Sequence, residues 1–354
     1  MGEEVDENLA QLPPDNSEAI IKYELSKEQK RIAQEVLESY KDNKDTLLYA
    51  VCGAGKTELV FKVIEYALKN KFHVGFAIPR RDVVIELAQR FKRTFVNNKV
   101  ISLYGGNNDD LYGDIIVLTT HQLYRYENYF DLLIMDEIDA FPYKDNPVLI
   151  EFFKRSVKGH YVLMSATPSL SILKEFKKEN HITLNLFTRY HMHPIPVPKI
   201  VIMPKLIMFY YLYSRLKAYM HLKKPTLVFV PTIAECEEVY RVISQIHKEG
   251  NFVHSKVQKR SEIIENFRRG KYKFLITTAV LERGVTLKNL QVIIFHANHK
   301  IYNTSSLIQI SGRVGRVKDA PTGDIIFLGE NKTNDMEEAI RKTNEANKHL
   351  QRLL

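Results

Sequence analysis

Short apolar and β-branched runs recur along the chain with room for one helix between many of them. In the first half they are TLLYA from Thr46, HVGFAI from His73, KVISLY from Lys99, DIIVLTT from Asp114, DLLIM from Asp131 and YVLMSA from Tyr161. Near-continuous apolar runs of this length read as strands buried on both faces, and helices between them predict a parallel sheet with crossovers. The best helical stripe follows Thr57, where Leu59, Val60, Val63, Ile64, Ala67 and Leu68 fall on one face.

The rhythm breaks at HMHPIPVPK, residues 191–199, where three prolines in five positions forbid helix and favour an extended connector. It restarts with TLVFVPT from Thr226, FVHSK from Phe252, FLITTA from Phe274, VIIFHA from Val292 and DIIFLG from Asp324 as strands. Helices are predicted near 233–248 and 259–269, and NDMEEAIRKTNEANKHLQRLL should close the chain as a helix capped by Asn334 or Asp335. The predicted class is α/β, with the chain divided into a leader (1–20), a first lobe (21–188), a proline-rich linker (189–200), a second lobe (201–330) and a terminal helix (331–354).

Composition narrows the function classes. The longest apolar stretch, residues 206–222, is interrupted by Arg215 and Lys217 and reads as a core helix rather than a membrane span. Two cysteines, Cys52 and Cys236, are too few for a disulfide framework or a four-cysteine zinc site, so no zinc is expected in this chain. Together with a first segment that lacks the apolar core of a secretion signal, this makes a reducing cytoplasm the expected compartment. The net charge of +9 is uneven: residues 1–20 carry six acids and no Lys or Arg, leaving +15 on the remainder. Such a body behind an acidic, disordered leader suggests a polyanionic partner, although a solvated basic surface also accounts for it.

Two stretches carry chemistry. AVCGAGKTEL, residues 50–59, lies between a predicted strand and the striped helix. Gly53 and Gly55, with Ala54 between them, leave backbone amides free to wrap a phosphate; Lys56 adds a cation and Thr57 a hydroxyl for Mg²⁺. Ala50 occupies the first position, where the phosphate-loop pattern has glycine. The second stretch, IMDEIDAFPY, ends an apolar run with Asp136, Glu137 and Asp139. Alone it reads equally as a cation site or as a solvated strand end. Beside a phosphate loop, Asp136 would hold Mg²⁺ through water and Glu137 would orient or deprotonate the attacking water. Asp139 is assigned to coupling rather than to the metal.

Further motifs follow in order: LSKEQ ending at Gln29, SATP at Ser165–Pro168 and QISGRVGR at Gln309–Arg316. With these the chain resembles superfamily-two helicases and translocases. DEIDAFPY, RYHMHPIPVP, LERGVT and QISGRVGR together resemble the ComFA family, the late-competence ATPases of transformable Gram-positive bacteria, which is similar in turn to the helicase PriA. The resemblance covers about residues 21–330. It implies two tandem RecA-like lobes, ATP and Mg²⁺ as cofactors, Gln29 and Gly284 on the nucleotide, and Arg313 and Arg316 meeting the γ-phosphate. It also implies single-stranded DNA as substrate and competence-machinery proteins as partners, with a cytoplasmic motor placed peripherally at the inner membrane face. Two departures stand out. The family's four-cysteine zinc module has no counterpart here, and Thr286 replaces the aspartate that DEAD-type RNA helicases direct at ribose.

By the same resemblance, strand contacts come from Pro79, Arg80, Gly105, Gly106, Thr119 and Thr120, then from Thr232 and Thr278. Small hydroxyl residues and bare backbone suit phosphate oxygens and would grip without reading sequence. Each is also an ordinary turn or strand terminus. His191 and His193 read as surface or linker histidines rather than metal ligands, and Tyr210, Tyr211 and Tyr213 as helix packing. FRRGKYK, residues 267–273, reads as a basic edge, and Tyr23 is a candidate flank for adenine. The leading reading is an ATP-driven single-stranded DNA translocase. A duplex-unwinding PriA-like or RNA helicase, and a nucleic-acid-binding scaffold with a silent nucleotide fold, are the alternatives; the oligomeric state is left open.

Overall fold

The structure, a computed structural model, describes residues 19, 24–107, 110–138, 146–278 and 287–353. Its first half runs α1 (Lys27–Lys41), β1 (Asp45–Ala50), α2 (Lys56–Leu59), α3 (Phe61–Lys69), β2 (Val74–Ile78), α4 (Arg81–Thr94), β3 (Val100–Leu103) and β4 (Ile115–Thr119). A 3-10 turn at Thr120–Arg125 leads to β5 (Phe130–Asp136), α5 (Pro147–Ser156), β6 (Val157–Ser165), α6 (Leu170–Glu175) and β7 (His181–Leu186). The second half continues with β8 (Lys199–Ile202), α7 (Lys205–His221), β9 (Thr226–Phe229), α8 (Ile233–Ser244), β10 (Gly250–Val253) and α9 (Arg260–Arg268). It ends with β11 (Phe274–Thr277), β12 (Gln291–Phe295), α10 (Thr304–Ser311), β13 (Ile325–Gly329) and α11 (Asn334–Leu353).

These strands build a seven-stranded sheet, order β3-β4-β2-β5-β6-β1-β7, and a six-stranded sheet, order β10-β11-β9-β12-β13-β8. β3–β4, β4–β2 and β2–β5 pair in parallel, as do all neighbours in the second sheet. The chain divides into two compact units. One takes the described residues of 1–24, 33–46 and 60–163; the other takes 25–32, 47–59 and 164–353 among the described residues.

The second sheet shows why uninterrupted apolar runs are required. Successive side chains alternate faces, and both faces are covered. Leu227, Phe229, Leu275, Val292, Ile294 and Phe327 belong to one core cluster, with Phe267, Leu307, Ile310 and Met336 contributed by α9, α10 and α11. Val228, Ile276, Ile293, Phe295 and Leu328 belong to the other, packed with Met208, Leu212 and Leu216 of α7 and Val239 and Ile243 of α8. Burying each such Val, Leu, Ile or Phe side chain contributes roughly 1.5–3 kcal/mol. In the other unit β2 and β4 are buried along their whole length. Phe61, Phe76, Phe91 and Phe95 meet there edge to face, with centroids 5.3–5.8 Å apart.

Several local expectations change. The helix after Thr57 breaks at Val60 (φ −96°, ψ 0°), giving α2 and α3 in place of one rod. HITLNL and KIVI form β7 and β8, so the second sheet takes its edge strand from Lys199–Ile202, beginning directly after Pro198. Helix α11 is capped by Thr333, whose hydroxyl accepts from the Met336 amide at 3.3 Å. Asp335 instead accepts from the Thr304 amide and hydroxyl at 2.8 and 2.7 Å, tying α11 to the start of α10.

Candidate nucleotide site and nucleic-acid track

The phosphate loop leaves β1 with the Val51 amide bonded to the Leu186 carbonyl at 3.0 Å. Gly53 and Gly55 take φ of +84° and +76°, the left-handed region that a Cβ penalises. A side chain at Gly55 would also lie 2.7 Å from Gln29 Nε2. That amide donates to the Ala54 carbonyl at 2.8 Å. Gln29 is itself held by a reciprocal cap at the start of α1: its amide donates to Ser26 Oγ at 3.2 Å and its Oε1 accepts from the Ser26 amide at 2.9 Å. LSKEQ is thus a capping box whose free amide group fastens the phosphate loop. Lys56 and Thr57 open α2, both half-buried. Tight backbone at two glycines, a helix N-terminus and a lysine beside it fit a triphosphate.

In the other unit β5 delivers the acids. Asp136 is buried, and its Oδ1 accepts from the Glu137 amide at 2.8 Å. Glu137 has φ +65°, a conformation that costs a non-glycine residue about 1–3 kcal/mol and recurs at functional sites. Asp139, Tyr23, Gly284 and Thr286 lie outside the described residues, as does the leader apart from Ala19.

The QISGRVGR segment is the end of α10, from Gln309, and the loop beyond it. Arg313 is fully buried, and Arg316 Nε donates back to the Gly312 carbonyl at 2.7 Å. SATP is tied to the same helix: Thr167 Oγ1 and Ser305 Oγ lie 2.7 Å apart, Gln309 Nε2 donates to Ser305 at 3.3 Å, and the Thr167 amide donates to Ser165 Oγ at 2.9 Å. The structure therefore gathers Gln29, Gly53–Thr57, Ser165–Thr167, Arg313 and Arg316 into one unit, and Asp136 and Glu137 into the other.

Sequence reasoning missed three residues here. Arg189, only 1% exposed, sends Nη1 to the carbonyls of Val314 and Gly315, both at 2.7 Å, and Nη2 to that of Gly312 at 3.3 Å. The Tyr190 hydroxyl donates to the Arg316 carbonyl at 3.1 Å, and His191 Nε2 lies 2.9 Å from that of Gly315. Burial, reinforced by the nearby Arg316 charge, pushes the Arg189 guanidinium down to about 10, leaving it cationic at neutral pH. Burial likewise lowers Arg316, and it lowers His191. His191 is thus a buried, bonded side chain, and its reading as a surface histidine is corrected. The available signal was an arginine, an aromatic and a histidine in succession ahead of the prolines.

The proposed track residues are spread over both units. Pro79 is buried, and Arg80 stands at the N-terminus of α4. Gly105 and Gly106 form an exposed turn with open space around both. Thr119 and Thr120 are buried at the end of β4, so their side chains are turned inward. In the other unit Thr232 caps α8, accepting from the Glu235 amide at 3.1 Å, and Thr278 is buried beyond β11, its carbonyl bonded to Thr277 Oγ1 at 3.1 Å. Among the described residues no helix is long and apolar enough to cross a membrane.

The description "Type III restriction enzyme, res subunit" matches residues 22–170, and "Helicase conserved C-terminal domain" matches 208–318. The competence protein ComFA of Streptococcus pneumoniae is 35% identical over 331 residues, covering 90% of this chain and 76% of that protein. ComFA of Bacillus subtilis is 34% identical over 333 residues, covering 91% and 72%. In fold, Saccharomyces cerevisiae Dbp5 bound to RNA and ADP BeF3 superposes with a TM-score of 0.68 at 19% identity, over 91% of this chain and 87% of that one. Two parallel sheets with flanking helices are the architecture of two RecA-like lobes, as in that structure. With the helicase models matching on both sides of the proline stretch, the chain is a helicase-type ATPase and nucleic-acid motor, and it belongs to the ComFA family of competence proteins.

Proposed function

We propose that this motor uses ATP and Mg²⁺ to draw single-stranded DNA in natural competence. One observation carries the reading: membership of the ComFA family over nine-tenths of the chain, in a sequence that keeps the phosphate loop, the acidic pair and both motif arginines. Bound ATP supplies a γ-phosphoryl group that can be transferred to water. The amides of Gly53–Thr57 and the Lys56 ammonium would hold the phosphates, with Gln29 bracing the loop and serving the base side. Thr57 and Asp136 would hold Mg²⁺, Glu137 would orient the attacking water and take its proton, and Arg313 and Arg316 would neutralise charge that grows as the bond breaks. Each group by itself follows the carboxyl end of a strand, the lysine loop after β1 and the acidic pair after β5, the usual position for ligands of open α/β sheets.

The exposed Gly105–Gly106 turn, Arg80 and the ends of β4 and β11 are the segments we assign to the DNA backbone, through main-chain groups at the buried threonines. The domain limits read from the sequence, a first lobe to residue 188, a linker to 200 and a second lobe to 330, belong to the same proposal, as do competence-machinery partners and a station at the inner membrane face. The test is ATP hydrolysis with single-stranded DNA, duplex DNA or RNA as stimulant. Stimulation by single strands of DNA, lost in Lys56→Ala and Glu137→Gln, is expected; unchanged hydrolysis in both variants would reject the site. The fold shared with an RNA-bound protein makes RNA the second reading, and stronger stimulation by RNA would favour it.

A further inference from the structure

The loop that carries Arg313 and Arg316 turns four of its carbonyls toward residues far away in sequence. Gly312, Val314, Gly315 and Arg316 each give a carbonyl to Arg189, Tyr190 or His191. Among the described residues the hydrogen-bond partners of Arg189 are all carbonyls, and burying a guanidinium that way is costly, because neutral dipoles offset less of its lost hydration than a carboxylate would. A hydrophobic side chain would fill the same space without that cost. What the charge adds is specific, since its planar fork bonds three carbonyls of one loop and fixes their orientation.

The opposite side of Arg189 faces the phosphate loop. A Cβ placed on Gly53 would lie 3.6 Å from Arg189 Nε and 3.7 Å from its Cδ. That Nε is buried and has no hydrogen-bond partner among the described residues. Close by, a Cβ on Gly312 would stand 2.5 Å from Cys52 Cβ, so the two loops pack without room for a side chain at Gly312. All of these residues fall within one compact unit.

We infer that Arg189, assisted by Tyr190, is a positioning residue that holds the loop bearing Arg313 and Arg316 in register with the phosphate loop. The inference rests on the ATPase site proposed above and adds a residue to it. Its guanidinium is spent on the carbonyls of Gly312, Val314 and Gly315, so it acts by setting where the two arginines stand. Removing it should leave ground-state nucleotide binding intact and weaken only what the two arginines recognise.

The experiment compares binding of ADP with that of ADP–aluminium fluoride, both with Mg²⁺ and single-stranded DNA, in wild type, Arg189→Met, Arg316→Ala and the double variant. Expected for Arg189→Met is an ADP affinity within about twofold of wild type, an analogue affinity about tenfold weaker and a matching fall in kcat, of the size that misplaced charge stabilisation produces. In the Arg316→Ala background the second substitution should cost less than it does in wild type, because only Arg313 is left to be misplaced. Equal weakening of ADP and analogue, or losses that multiply in the double variant, would make Arg189 a merely structural residue and overturn the inference. Tyr190→Phe, which removes one hydroxyl from a half-exposed ring, guards against misfolding; it should show the same selectivity at about twofold, and an unselective loss there would also count against the inference. Absence of hydrolysis in wild type would instead refute the ATPase site itself.

Discussion

Glu137 lies in the left-handed region at φ +65°, where its Cβ crowds the backbone, yet its carboxylate is the group proposed to handle the attacking water. Replacing it separates backbone strain from chemistry. At an ordinary position glycine is less stable than alanine by about 0.5–1 kcal/mol, because its unfolded chain is freer. At this φ alanine keeps the strain of about 1–3 kcal/mol and glycine loses it, so the order should invert, with Glu137→Gly above Glu137→Ala by about 1 kcal/mol. For a unit of this size that is roughly 2–4 °C in Tm. The chain has no tryptophan, so far-UV circular dichroism is the suitable probe. Glu137→Gln keeps both length and strain and should melt within about 1 °C of wild type, while all three variants lose about 10²–10⁴-fold in turnover. An alanine variant as stable as the glycine variant would refute the claim that strain is stored there. A glycine variant with near-normal turnover would remove Glu137 from the chemistry.

Two further outcomes follow from the phosphate loop. Gly55→Ala meets both a φ of +76° and Gln29 Nε2 at 2.7 Å, so it should lower stability by about 1–3 kcal/mol and weaken nucleotide binding. Adding Gln29→Ala should recover part of the stability in thermal melts, and no recovery would show that the steric argument is wrong. Of the two cysteines, Cys236 is buried and its thiol is pushed up to about 12 by burial, so it stays protonated and inert to iodoacetamide at pH 8, whereas Cys52 is half-exposed. Mass spectrometry should find native labelling confined to Cys52 and slowed by MgATP, with both sites labelled after unfolding; labelling of Cys236 in the native protein would contradict its burial.

What the chain determined by itself is chemistry that acts over a few residues. Apolar runs long enough to be buried on both faces announced most strands of both sheets, and the strand-loop-helix around Lys56 announced the phosphate loop, because glycine freedom, helix N-termini and side-chain alternation are local properties. The same logic failed where local signal was weak: HITLNL and KIVI are short, and the strand at Lys199 begins where prolines had suggested connector alone. Tertiary structure alone decided that Gln29 grips Ala54 and that His191 is buried. It also decided that Arg189 serves carbonyls 123 to 126 residues away. A backbone carbonyl carries no mark in the sequence of its partner. Only the folded path brings a guanidinium to it, and only burial makes that meeting strong enough to hold a loop in place.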